Sequence, residues 1–245
     1  MKFTGKRILI TGGARGIGSV MAKSFAKNGA EVIINYRASE EKAQSLCNEV
    51  VSNGGKAIAI QADVSNGREV RMMAKAIEEN HGPIDILINN AGWAKPQALA
   101  DIDTDNLNKQ LMTNIASVIN CTQAFSPLLK EGGRIVNITS LAAKGSALFP
   151  VYSATKAAVN ALTKSFAQEL GPRKITVNAV APSAVESDLY YEVGLDAHKE
   201  QALQATPLQF LGDATDVAQA VTFFASEQAR WITGEILQVS GGRAM

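Results

Sequence analysis

The chain has 245 residues, with 24 Lys and Arg against 23 Asp and Glu, a formal net charge of +1, 46% hydrophobic and 19% charged residues. A chain of this length buries about 70–75% of its unfolded surface and needs neither disulfides nor metal to hold a core. The near-zero charge excludes a broad surface for nucleic-acid backbones, and the composition excludes an acidic disordered chain.

Cys47 and Cys121 are isolated, and His81 and His198 are far apart in sequence, so no metal site and no disulfide framework is expected. The apolar run Ile8-Leu9-Ile10 stops at Thr11, too short for a signal-peptide core, and no later run approaches a membrane span. The expectation is a cytoplasmic protein with no membrane and no nucleic-acid partner.

In chain order, short β-branched runs at 6–11, 31–36, 56–61, 84–89, 133–139, 174–180 and 235–239 read as strands. Between them Gly16–Asn28, Glu40–Asn53, Asn66–Asn80, Asp105–Phe125, Val151–Leu170 and Asp213–Ala225 carry the helical period. Strands alternating with helices predict an α/β fold of Rossmann type, a doubly wound parallel sheet of about seven strands with helices on both faces. The strand runs are apolar without alternation, as burial on both faces requires. Glycine-containing breaks such as Asn28-Gly29, Asn53-Gly54-Gly55 and Gly171-Pro172 follow the helices. No linker or repeat divides residues 1–245, so one domain is expected. The mixed segment 182–212, with only a short helical stretch near Asp196–Ala205, reads as a substrate loop or lid.

The turn Thr11-Gly12-Gly13-Ala14-Arg15-Gly16-Ile17-Gly18 joins the first strand to the first helix. Glycines let the backbone approach a pyrophosphate, and the N–H groups and dipole at the helix start hold the anion. A tight turn without ligand is the competing reading, and the strand before and helix after weigh against it. At the end of the second strand, Asn35-Tyr36-Arg37 has no acid for a ribose 2′-hydroxyl, while Arg37 and Arg15 could grip a 2′-phosphate. That favours NADP(H) over NAD(H), the alternative being two ordinary surface arginines.

With these motifs the sequence resembles the short-chain dehydrogenase/reductases over essentially its whole length. The matching features are Thr11-Gly12-x3-Gly16-Ile17-Gly18, Asp63-Val64, Asn89-Asn90-Ala91-Gly92, Asn114, Ser140, Tyr152-x3-Lys156 and Ile232-Thr233-Gly234. Within that family it looks most like the 3-oxoacyl-(acyl-carrier-protein) reductases of fatty-acid or polyketide synthesis. The resemblance implies that Lys156 also bonds the nicotinamide ribose and that Asn114 holds a water in a proton relay. It places Asp63, Val64, Asn90, Ala91 and Gly92 on the cofactor, together with Pro182, Val185 and Ser187 from the loop after the sixth strand. It implies a homodimer or homotetramer.

The chemistry follows from the residue types. Hydride addition to a carbonyl builds an alkoxide, so the site must give a proton and stabilise negative charge. Tyr152 and Lys156 lie four apart on a helix and share a face. A nearby ammonium would lower a phenol by about 2–3 pKa units as an upper estimate. Ser140, at the end of the fifth strand, can hold the substrate oxygen, with Thr139 as a minor rival.

Four departures from the family pattern stand out: Ser140 lies one position closer to Tyr152 than usual, Ser183 replaces a glycine, Ser187 replaces a threonine, and Phe210 stands where many relatives carry arginine. Trp93, Leu148, Phe149, Tyr190 and Tyr191 could line an apolar substrate wall, or simply pack loops on the core. Carrier-protein reductases use basic residues at the mouth, which Arg173 matches and Glu131 does not. The expected substrate is a 3-oxoacyl thioester of an acyl carrier protein or coenzyme A. The alternatives are a free ketone, sugar, steroid or quinone, and a non-catalytic NADP-binding sensor, which would have no need of all four reacting side chains.

Overall fold

A computed structural model describes residues 1–243. It begins with β1 (Arg7–Ile10), α1 (Gly16–Lys27), β2 (Glu31–Tyr36), α2 (Glu40–Ser52), β3 (Lys56–Gln61), α3 (Gly67–His81) and β4 (Ile84–Asn89). There follow α4 (Thr104–Leu111), a π turn (Met112–Ala116), α5 (Ser117–Phe125), β5 (Leu129–Ile138), α6 (Pro150–Leu170) and β6 (Thr176–Pro182). The last third holds β7 (Val185–Glu186), α7 (Asp188–Glu192), α8 (Lys199–Gln204), β8 (Gly212–Asp213), α9 (Ala214–Ala225) and β9 (Ile236–Val239).

Seven strands form one parallel sheet in the order β3-β2-β1-β4-β5-β6-β9. Each parallel step needs a crossover, and the helices that make these crossovers cover both faces. On one face Ile8, Ile10, Val32 and Ile34 pack with Met21 and Phe25 of α1 and Val217 and Val221 of α9. On the other, Leu9, Ile33, Leu87 and Ile135 pack with Val70 and Ile77 of α3 and Phe125 of α5. Strand order reverses between β1 and β4, and the crevice outside the carboxyl ends there is where such sheets take ligands.

Local chemistry sets the helix starts. The Asn66 side chain accepts from Arg68 N–H and Glu69 N–H at the head of α3, and Asp213 with Asp216 forms a capping box on α9. Pro150 opens α6, where its missing N–H costs nothing.

Four expectations need correction. The stretch 105–125 is not one α-helix, because the π turn at Met112–Ala116 interrupts it and the Asn114 side chain is drawn fully inside. The sixth strand starts at Thr176 rather than 174, since Lys174 adopts a left-handed conformation (φ 57°) to end the turn after α6. Burial on both faces fails for β3 and β9, which form the two sheet edges and are half-exposed. The segment 182–212 holds more than the one short helix expected near 196–205: α8 falls there, and α7 and the small β7–β8 pair are added. Among the described residues no helix is long and apolar enough to cross a membrane.

Candidate active site

A cavity of about 900 Å³ opens at the carboxyl edge of the sheet, between the glycine turn, the ends of β4 and β5, the start of α6 and the 182–212 segment. Its size is in the range of cofactor clefts. Gly12, Arg15, Gly16, Ile17, Gly18, Tyr36, Arg37, Asp63, Val64, Asn90, Ala91 and Gly92 all line it, as do Pro182, Val185 and Ser187.

The glycine turn is held by buried polar side chains. Asn35 accepts from Gly12 N–H at 3.3 Å and donates to Ala62 O at 3.0 Å, tying the turn to β2 and to the end of β3. The Thr11 hydroxyl accepts from Asn90 N–H and Ala91 N–H, each at 3.0 Å. Asn90 donates from its amide to Thr11 O at 2.9 Å and Gly12 O at 3.1 Å. Thus Asn90, expected beside the adenosine, spends its amide on shaping the turn. A Cβ on Gly18 would lie 2.5 Å from Gly12 O and 2.9 Å from Asn90 Nδ2, so only glycine permits this approach. Thr11 and Asn35 stand in the motifs named above, but their sequence context assigns them no role in holding the turn. A polar residue ending each apolar strand was the available signal.

Arg15 and Arg37 share the cavity, but each guanidinium already has a carboxylate. Arg15 pairs with Glu192 of α7, and Arg37 lies 3.8 Å from Asp63. Asp63 also accepts from the Ser65 hydroxyl at 2.6 Å. A 2′-phosphate would replace these carboxylates rather than enter an open pair of cations.

Ser140, Tyr152 and Lys156 meet at the end of β5. The short Ser140-to-Tyr152 connection is taken up by a 3-10 turn at Leu141–Lys144, whose first residues Ser140 caps by accepting from Ala142 N–H at 3.1 Å. This leaves Ser140 in hydrogen-bond reach of the Tyr152 phenol. Lys156 Nζ donates to Ile138 O at 2.8 Å and lies 5.5 Å from the Tyr152 ring centre. The Thr139 hydroxyl, although it lines the cavity, is buried and has no partner.

The expected lowering of the phenol by Lys156 is not what the geometry gives. Burial pushes Tyr152 up to about 12, only partly offset by the hydrogen bond with Ser140. The same burial brings Lys156 down to about 8, so the ammonium is itself the group under strain. Tyr152 therefore holds its proton throughout the neutral range, the state a general acid needs.

The Asn114 side chain is engaged with its neighbours inside the fold. Its Oδ1 accepts from Trp93 N–H at 2.8 Å, and its amide donates to Trp93 O at 2.8 Å and to the Thr155 hydroxyl at 3.1 Å. The side chain is thus spent on clamping Trp93 against α6.

Trp93, Leu148, Phe149 and Tyr190 also line the cavity, at the end away from the glycine turn, beside Ser140 and Tyr152. Tyr191 does not belong with them, since successive residues of α7 point apart. Tyr190 is 3% exposed and Tyr191 56%, with their rings edge to face. The Tyr190 hydroxyl is buried without a partner. Arg173 is also not free for a carrier protein: its guanidinium donates to Ser126 O at 2.7 Å and Leu129 O at 2.6 Å. Glu131 pairs with Lys174 at 2.5 Å. Among the described residues no cluster of His, Cys, Asp and Glu could hold a metal ion.

A parallel doubly wound sheet with a glycine turn at its switch point, and a Ser, Tyr and Lys beside it, defines the class of dinucleotide-dependent oxidoreductases. A family model described as enoyl-(acyl carrier protein) reductase matches residues 12–244. A 3-oxoacyl-(acyl-carrier-protein) reductase of Staphylococcus aureus is 41% identical over 248 residues, covering 100% of both chains. Among solved structures, a short-chain dehydrogenase from Burkholderia cenocepacia in complex with NADP is 39% identical, covers 99% of each chain and superposes with a TM-score of 0.93. A blue fluorescent protein from a metagenomic library, in complex with NADPH, is 32% identical over 100% of both chains with a TM-score of 0.94. The chain belongs to the short-chain dehydrogenase/reductase family and is an oxidoreductase of the kind that acts on CH–OH and C=O groups.

Proposed function

We propose that the protein is an NADPH-dependent carbonyl reductase that converts a 3-oxoacyl thioester to the 3-hydroxyacyl form. The observation that carries this reading is the convergence of the Ser140 hydroxyl, a protonated Tyr152 phenol and the Lys156 ammonium beside the glycine turn, in one cavity. The relatives' names support both halves of it, a 3-oxoacyl substrate and an NADP-type cofactor.

The bound nicotinamide would supply the hydride. The turn from Gly12 to Gly18, with Ile17, would hold the pyrophosphate at the start of α1, its shape kept by the packing of Gly18 against Gly12 and Asn90. Arg15 and Arg37 would read the 2′-phosphate, exchanging Glu192 and Asp63 for it. Tyr36, Asp63, Val64, Asn90, Ala91 and Gly92 would flank the adenosine and ribose, with Pro182, Val185 and Ser187 closing the nicotinamide side. Ser140 donates to the substrate carbonyl and Tyr152 gives its proton to the forming alkoxide. The Lys156 ammonium stabilises the phenolate left behind, and Asn114 holds the π turn through which the proton is replaced.

A second reading, reduction of a free ketone, is favoured by one observation. Arg173 is spent on backbone carbonyls and Glu131 on Lys174, so the two positions where carrier-protein reductases place basic residues offer no free cation. The expected assembly is a homodimer or homotetramer in the cytoplasm. The test is NADPH oxidation with matched 3-oxoacyl and enoyl thioesters and free ketones. Consumption is expected with the 3-oxoacyl thioester, and preference for a free ketone over every thioester would overturn that substrate.

A further inference from the structure

One cation at the substrate end stands on an aromatic ring. Lys109 Nζ lies 3.9 Å from the centre of the Trp93 ring, and both residues line the cavity. Lys95, on the same loop as Trp93, is 3.8 Å from Asp103, whereas among the described residues Lys109 forms no ion pair. The main chain beneath the ring is held on both sides. Asn114 takes both the N–H and the C=O of Trp93, and Lys109 comes from the helix that runs into the π turn carrying Asn114. One helical segment therefore holds the main chain of Trp93 and its ring.

This platform adjoins the reacting groups. Trp93 follows Gly92, whose Cβ position would lie 3.5 Å from Lys156 Nζ and 3.4 Å from Asn114 Oδ1. An ammonium resting on an indole face has already lost part of its water and much of its rotamer freedom. Such a group meets an incoming anion at a lower ordering cost than a free surface lysine. Besides Lys109 and Lys156, the charged groups lining the cavity are Arg15, Arg37, Lys144 and Arg243 against two acids, Asp63 and Asp188.

We propose that Lys109, seated on Trp93, selects carbonyl substrates that carry an anionic group, a carboxylate or a phosphate, beyond the ketone. The inference rests on the proposed reduction of 3-oxo substrates and names a determinant of its specificity. The anion has two possible sources, a carboxylate on the acyl chain or the phosphates of the thiol arm.

The experiment uses four substrates sharing one 3-oxo group. They are a neutral ester, the same ester with a terminal carboxylate, a neutral N-acetylcysteamine thioester and the coenzyme A thioester. Wild-type protein is expected to prefer an anionic member, and Lys109→Met to lower kcat/KM for it by about tenfold, mostly through KM. The neutral members should stay within about twofold, and Lys109→Arg should keep the preference. A loss confined to the carboxylate or to the coenzyme A thioester assigns the source. Equal effects on all four substrates, or no charge preference in the wild type, overturn the role of Lys109 and leave the reductase reading standing. No turnover of any of the four overturns the reductase reading and this inference with it.

Discussion

The cofactor half of the cavity and the substrate half are built on different principles. In the first, buried Thr11 and Asn35 and half-buried Asn90 fasten the main chain of the glycine turn, and their hydrogen-bonding groups are spent on that task. In the second, side chains are left with capacity: Thr139 and Tyr190 carry buried hydroxyls without partners, and Lys109 has only an aromatic ring. A dinucleotide phosphate is recognised by backbone whose shape must be held, so polar groups are consumed in holding it. A substrate is recognised by side chains, and unused donors and acceptors are costly in a closed interior unless something meets them.

The sharpest test falls on the seam between the halves. Tyr152→Phe should cut kcat by about 10²–10⁴ while NADPH affinity, followed by fluorescence titration, changes little. Loss of both together would mean that the halves are not separable. The pH profile probes the same seam. Lys156 loses its proton as pH rises through about 8, so kcat/KM for reduction should fall about tenfold per pH unit above that point. Its buried value lies below the ordinary lysine value of 10.5, so the folded state releases the proton first. The contribution of Lys156 to stability therefore rises between those two pH values while activity falls. A rate that stays flat from pH 7 to 10 would remove Lys156 from the reaction.

On the cofactor side, Arg37→Asp should weaken NADPH by about 10- to 100-fold and leave NADH nearly unchanged, measured as the ratio of the two affinities. Equal losses would deny the 2′-phosphate role. The smallest effect is expected on the substrate side. Tyr190→Phe removes a buried hydroxyl that lacks a partner, so thermal stability should hold or rise by about 1 kcal/mol, while KM for the carbonyl substrate rises a few-fold. A marked loss of stability would show that the hydroxyl serves the fold instead.

Much of the fold was legible because its signals are local. The runs at 31–36, 56–61 and 84–89 coincide with β2, β3 and β4, since apolar β-branched stretches between glycine breaks have few other ways to be buried. The glycine turn and the Tyr152-x3-Lys156 spacing were readable for the same reason: each is a short stretch whose geometry its own residues dictate. The π turn at Met112–Ala116 was not, because the helical period runs on through it. Its cause is non-local, the pull of Asn114 onto the main chain of Trp93, 21 residues earlier.

The sequence by itself determined the alternating architecture, the family and the identity of the groups that meet at the site, because spacing along one strand or helix face carries that information. Only the tertiary structure decided how those groups are charged and what they are free to do. Burial, which depends on every packed element, reversed the expected lowering of the Tyr152 phenol. It also turned Asn114 into a clamp and Arg173 into a cap, and it separated Tyr190 from Tyr191. Charge state and hydrogen-bond capacity belong to the surroundings of a residue, and the fold brings those surroundings together from distant parts of the chain.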